Sequence, residues 1–268
     1  MSRDFLGFSR SDAPCRHHTH TGPAMLVTIT DFGSQGPYLA QMKAAAMAHA
    51  PDLPILDLFT DAPAFNPRAA AYLVSAYAAD LPEGAVILGV VDPGVGSERA
   101  GIVVHAGGRW FVGPDNGLFA LAARHAGGAA AWRIAWTAPD ASATFHGRDI
   151  FAPVAARLAR GERPLGMPLD PATLVGADWP DDLAEIVYVD AYGNCMTGVR
   201  ANTLPPGARV RIAGHAPARG RTFSDVPEGT PLWYTNANGL VEIAVNAGRA
   251  DTALGIGVGT PVEIASTP

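Results

Sequence analysis

Apolar and polar positions follow a regular succession over the first two thirds of the chain. Residues 26–30 form a short apolar run, residues 38–50 an Ala- and Met-rich stretch that stops at Pro51, and residues 54–58 another short apolar run. Next come residues 68–80, carrying Ala69, Ala70, Ala71, Leu73, Val74, Ala76 and Tyr77, and then the β-branched run 85–91. Short continuous apolar runs read as buried strands, and the longer segments as helices. Strand and helix therefore alternate, which predicts an α/β domain with a mostly parallel sheet covered by helices. Residues 101–105 and 109–112 flank Ala106-Gly107-Gly108 and predict a hairpin. Further helices are predicted over 117–125 and 150–160, the second capped by Asp149.

The pattern changes toward the end of the chain. Residues 161–182 are rich in Pro, Gly and Asp, and from Leu183 onward short apolar or alternating runs (186–189, 196–199, 209–212, 232–235, 241–245, 261–264) are separated by Gly, Pro and Asn turns. That is the pattern of a smaller all-β domain. The expected division is a mobile tail over 1–24, an α/β domain over 25–165, a linker over 166–182 and a β-domain over 183–268.

Composition narrows the class of function. With 48% hydrophobic and 16% charged residues the chain is globular, and a net charge of −6 without a basic stripe argues against nucleic acid as partner. Cys15 and Cys195 are far apart and lack CxxC spacing, so neither a disulfide framework nor a cysteine metal site is expected. There is no apolar stretch of membrane-spanning length and no secretory leader pattern, which predicts a soluble, cytoplasmic protein without a membrane partner. His17, His18 and His20 cluster in the expected tail but have no second cluster to complete a metal site.

Candidate chemistry gathers where strands end. Val90-Val91-Asp92-Pro93-Gly94-Val95-Gly96-Ser97-Glu98-Arg99 places an acid at a strand's carboxyl end, where ligands of open α/β sheets bind, and its glycines let Arg99 fold back on Asp92. Taken alone, Asp-Pro-Gly also fits a tight turn with an exposed ion pair. Two further segments have the same form: Asp31-Phe32-Gly33 after residues 26–30, and Asp190-Ala191-Tyr192-Gly193-Asn194 after residues 185–189. Thr144-Phe145-His146-Gly147-Arg148-Asp149 stands ahead of a predicted helix, and Gly113-Pro114-Asp115-Asn116-Gly117 forms a turn.

This ordered combination, from about residue 25 to 264, resembles the SAM hydroxide adenosyltransferase family, relatives of the fluorinase and chlorinase enzymes that act on S-adenosylmethionine (SAM). The resemblance implies an α/β domain followed by a barrel-like β-domain, and a homotrimer with sites between one subunit's α/β domain and a neighbour's β-domain. It implies that Asp92, Arg99 and His146 orient or deprotonate an attacking water. Asp31 would accept the ribose hydroxyls, Phe145 would line the substrate, and Asp190 and Asn194 would contact the methionine ammonium and the adenine. Asn236-Ala237-Asn238-Gly239 stands where relatives usually carry Asn-Ser-x-Gly and bind the carboxylate end; Ala237 removes that hydroxyl, leaving backbone amides. Thr60 replaces a usual histidine and Gly36 a common acid.

Displacement at C5′ of a sulfonium asks for no metal and no proton on the leaving group, so no cofactor is expected and SAM is the substrate. Halogenating relatives hold their halide with a serine where this chain has Gly147, and they carry a longer insertion than residues 99–111. Water is therefore the expected nucleophile. The alternatives are a halide-using SAM enzyme and a nucleoside- or SAM-binding module without turnover; outside the resemblance His146 also fits a structural histidine at a helix start, and Asp190 to Asn194 a hairpin turn.

Overall fold

The computed structural model describes residues 25–265, so the expected tail, residues 1–24, lies outside the described residues. The chain opens with β1 (Leu26–Thr30), α1 (Tyr38–His49), β2 (Ile55–Phe59), α2 (Pro67–Ala78) and β3 (Val86–Val90). Every residue of β1 and β3 is buried, as strands covered by helices on each face must be. α2 starts where Pro67 takes the first helical position and the Asn66 side chain accepts the Ala69 amide at 3.0 Å. Next come β4 (Gly101–Ala106), β5 (Arg109–Pro114), α3 (Ala120–His125), β6 (Ala129–Ile134), α4 (Ala152–Ala159) and β7 (Gly166–Leu169).

These strands form one sheet in the order β2-β1-β3-β5-β4-β6-β7. One apolar cluster joins a face to α2 and α3 through Ile29, Ile87, Leu73 and Leu121; another joins the opposite face to α1 and α4 through Leu26, Leu88, Met42 and Val154. The sheet is mixed, in place of the mostly parallel one expected. β2, β1, β3 and β5 are parallel, whereas β5–β4, β4–β6 and β6–β7 are antiparallel. The reversal comes from the two-residue Gly107-Gly108 hairpin, after which the chain keeps folding back on its neighbours. β6 was not legible as a strand, being an Ala-rich run, and β7 lies inside the stretch expected as linker, so the first sheet extends past residue 165.

The remaining chain is β8 (Leu183–Val189), β9 (Cys195–Arg200), β10 (Arg209–Ile212), β11 (Ala218–Arg219), β12 (Pro231–Thr235), β13 (Leu240–Val245), the short α5 (Ala250–Leu254) and β14 (Val262–Ala265). They form a five-stranded sheet, β11-β12-β13-β9-β8, and a two-stranded one, β10-β14, over a core that includes Trp233, Ile186 and Ile243. The two sheets touch at the isolated Glu185–Pro261 bridge, so the ladder does not close into the expected barrel. At that seam the Gly259 amide donates to the Ile186 carbonyl at 2.8 Å and the Ile186 amide to the Thr260 carbonyl at 2.9 Å, and Pro261, which has no amide hydrogen, cannot donate to extend the ladder. Among the described residues no helix is long and apolar enough to cross a membrane.

Candidate active site

β1 and β3 run side by side with Thr30 opposite Val90, so the residues that follow them, Asp31 and Asp92, emerge together at the carboxyl end of the sheet. Asp31 senses this placement. Burial, and to a smaller degree the charge of Asp92, push its carboxyl above the usual carboxylate range, against the hydrogen bond it accepts from the Phe65 amide at 3.0 Å.

Beyond Asp92 the glycine-containing turn brings Arg99 back onto it. Arg99 Nε donates to Asp92 Oδ1 at 2.8 Å and Nη2 to Asp92 Oδ2, with the two side chains only 11% and 4% exposed. The same Nη2 donates to His146 Nδ1 at 3.0 Å. Guanidinium has no acceptor, so Nδ1 must be the acceptor and the neutral ring carries its proton on Nε2. Burial and the Arg99 charge hold His146 below its usual value, outweighing Asp92 and Asp149, which pull it upward. The imidazole is therefore neutral at neutral pH.

The segment that delivers His146 is tightly built. Gly147–Phe151 forms a π-helical turn leading into α4, a geometry often found at functional sites. The two site loops meet at Gly96, where φ is +82° and a Cβ would stand 2.7 Å from the Ala143 carbonyl oxygen, room that only glycine leaves. Phe145 packs edge-on against Phe32 and Tyr38, with ring centroids 5.9 and 5.7 Å away, and makes an aromatic wall beside His146. Asp149 is not the expected cap. The helical turn begins upstream of it, and its carboxylate instead accepts the Ser142 amide at 2.8 Å.

The second domain's candidate residues are bonded among themselves and their own turns. Asp190 binds the Tyr192 and Asn194 amides at 2.9 Å each and the Asn194 carboxamide at 3.0 Å, closing the turn in which Gly193 takes φ +82°. Asn236 accepts the Asn238 and Leu240 amides and donates to Glu242 at 3.0 Å. Because the Asn236 amide is bonded to the Leu240 carbonyl and the Gly239 amide to the Asn236 carbonyl, three of the four backbone amides of residues 236–239 are already engaged. Asn238 donates to Asp80 at 3.0 Å and lines a cavity of about 280 Å³ with Tyr72, Ser75, His125 and Arg200. Asp80 lies on the amino-terminal side of the sheet, where Ala79 and Leu81 carbonyls bind Arg109 at the start of β5. From there β3 carries the chain to Asp92 over roughly 20 Å. Among the described residues no hydrogen bond or ion pair joins Asp190, Asn194, Asn236 or Asn238 to Asp31, Asp92, Arg99 or His146.

Two residues of interest escaped the sequence reading. Phe65 holds a left-handed backbone at φ +57°, is 78% exposed and gives its amide to Asp31; a strained non-glycine residue beside a site acid is a functional signal that sequence does not carry. Glu242 is buried on β13, accepts from the Tyr234 hydroxyl and Asn236, and has its carboxyl pushed up by burial. Its place in an apolar alternating strand marked it only as a strand residue.

Residues 26–167 match the SAM hydroxide adenosyltransferase N-terminal domain and residues 184–263 the C-terminal domain of the same family. The chain belongs to the SAM hydroxide adenosyltransferase family. Within the family, it is 40% identical over 252 residues to the (R)-S-adenosyl-L-methionine hydrolase of Thermus thermophilus, covering 88% of this chain and 97% of that protein. It is 38% identical over 250 residues to the protein of the same name from Salinispora tropica, covering 88% and 95%. A conserved protein from Thermotoga maritima, known by its crystal structure, superposes with a TM-score of 0.81 at 31% identity, over 90% of this chain and all of that one. The family match spans the two domains, including every candidate residue described above.

Proposed function

We propose that this protein hydrolyses SAM to adenosine and L-methionine by attack of water at the ribose C5′. The observation that carries the reading is Arg99 held between Asp92 and His146, beside Asp31, at the open end of the sheet. Relatives named (R)-S-adenosyl-L-methionine hydrolase at about 40% identity support it.

The chemistry follows from these groups. Each Asp92 oxygen accepts one bond from Arg99 and retains lone-pair capacity for a water proton. A water so held presents a lone pair to C5′; the C–O bond forms as the C–S pair returns to sulfur, and methionine leaves as a neutral thioether. The new oxonium is strongly acidic and yields its proton through Asp92 to solvent. His146, with Nδ1 engaged, is a hydrogen-bond donor at Nε2 in this state and orients the water more than it deprotonates it. Asp31 is placed for the ribose hydroxyls and the Phe32–Tyr38–Phe145 wall for excluding water. The reaction needs no cofactor, because the leaving group already carries its positive charge.

Among the described residues of one chain no hydrogen bond or ion pair joins Asp190, Asn194, Asn236 or Asn238 to Asp92. A second copy can supply them, so we place the complete site between subunits of a homo-oligomer, the trimer that the family implies. The reading places the enzyme in the cytoplasm, a reducing compartment that suits a chain with two cysteines distant in sequence. Incubation of the purified protein with SAM and identification of products by mass spectrometry tests it. Adenosine with methionine is expected; a 5′-halogenated nucleoside in the presence of chloride, or SAM bound and unchanged, overturns it.

A further inference from the structure

Among the described residues Asp149 makes no hydrogen bond or ion pair to Asp92 or Arg99, yet it bonds both ends of the segment bearing His146. Its Oδ2 accepts the Ser142 amide at 2.8 Å, closing the loop that carries Phe145 and His146. Its oxygens grip Arg148, with Nε at 2.5 Å from Oδ1 and Nη2 at 2.8 Å from Oδ2, and the Arg148 guanidinium carbon lies 5.0 Å from the Phe145 ring centroid. The carboxylate is only 15% exposed. Loop, arginine and aromatic ring are thus tied to one side chain.

We propose that Asp149 is a positioning residue: it clamps residues 142–149 so that His146 meets Arg99 and Phe145 faces Phe32 and Tyr38. This rests on the hydrolytic reading for its kinetic consequence, but the clamp itself is a statement about His146. The charged groups that face the imidazole are Asp92 and Arg99 from the β3–β4 segment and Asp149 from its own, and the Phe151 ring packs edge-on at 6.4 Å. Asp149 pulls the imidazole's proton affinity upward, so removing its charge with the clamp kept lowers the midpoint at which His146 protonates, whereas loss of the clamp frees the ring from burial and Arg99 and raises it.

The two variants Asp149→Ala and Asp149→Asn separate clamp from charge. Asparagine retains an oxygen for the Ser142 amide; alanine does not. Titration of His146 followed by NMR, without substrate, should show its midpoint lowered in Asp149→Asn, which removes the charge and keeps the Ser142 bond, and raised in Asp149→Ala, where release from burial and from Arg99 outweighs the lost charge. With SAM, Asp149→Ala should lose about 10- to 100-fold in kcat with KM within about threefold, and Asp149→Asn should keep kcat within a few-fold of wild type. A His146 midpoint that stays unchanged or moves the same way in both variants, equal kcat losses in the two variants, or a fall in Tm with kcat untouched would overturn the proposal. If wild-type protein leaves SAM intact, the hydrolytic reading fails, while the His146 titration still decides whether Asp149 acts on it.

Discussion

Arg99 donates to Nδ1 of His146 at 3.0 Å. Since arginine stays protonated, that contact exists only while Nδ1 is bare, and protonating the ring sets donor against donor. His146 is held below its usual value near 6.5 by burial and by Arg99. Turnover should therefore be level through neutral pH and fall as the pH drops through the lowered His146 midpoint. A kcat profile with matched NMR titration checks this; activity that increases as His146 becomes protonated contradicts it.

Replacing Arg99 by lysine keeps the charge and removes the fork that serves Asp92 and His146 together. Arg99→Lys should lose on the order of 100-fold in kcat while SAM affinity by calorimetry stays within a few-fold. Arg99→Ala is the harsher change, since it strands a nearly buried Asp92 carboxylate, a loss of about 3–5 kcal/mol that should appear in Tm. Asp31→Ala should show the opposite division, weakening SAM binding about tenfold or more through the lost ribose contacts.

Much of this site was legible in the sequence because its residues follow strands. An apolar run ending in an acid and glycine fixes a carboxyl-end loop, and Asp31, Asp92 and the return of Arg99 follow from that. What was hidden depends on tertiary context. The π turn at Gly147–Phe151 is a local choice made by packing against α1 and β3, so Asp149 was read as a cap when it is a clamp. The Ala-rich β6 has strand geometry because β4 offers it an edge, and that pairing adds a second antiparallel pair to the one the Gly107-Gly108 hairpin makes. The roles of Asn236 and Asn238 were the least legible: the sequence showed a missing hydroxyl at Ala237, whereas the fold shows the neighbouring amides already engaged.

A site completed by a second copy predicts complementation. Asp92→Ala and Asp190→Ala should each be inactive as homo-oligomers. Co-expressed, they should recover a fraction of wild-type activity, because some mixed interfaces pair an intact Asp92 with an intact Asp190. No recovery in assemblies shown by native mass spectrometry to be mixed would place the whole site in one chain.

Gly147 has no hydroxyl to replace a halide's hydration, so wild-type protein with SAM and chloride should yield no 5′-chloro-5′-deoxyadenosine. The nearest atoms to a Cβ at this position are the Val90 methyls at 3.4 Å and Met42 Sδ at 3.5 Å, ordinary contacts. Gly147→Ser should therefore fold with Tm within a few degrees of wild type. Chlorinated product from the wild-type protein, or collapse of the serine variant, would contradict these expectations.

The most direct measurement is the origin of the oxygen. Single-turnover reaction of SAM in ¹⁸O-labelled water, with mass spectrometry of the nucleoside, reads which atom attacked C5′ and which bond broke. The account predicts one labelled oxygen in the adenosine 5′-hydroxyl, none in the methionine formed in the same turnover, and label incorporation slowed on the order of 100-fold in His146→Ala. Adenosine without the label, or His146→Ala reacting at the wild-type rate, would contradict water attack organised by Asp92, Arg99 and His146.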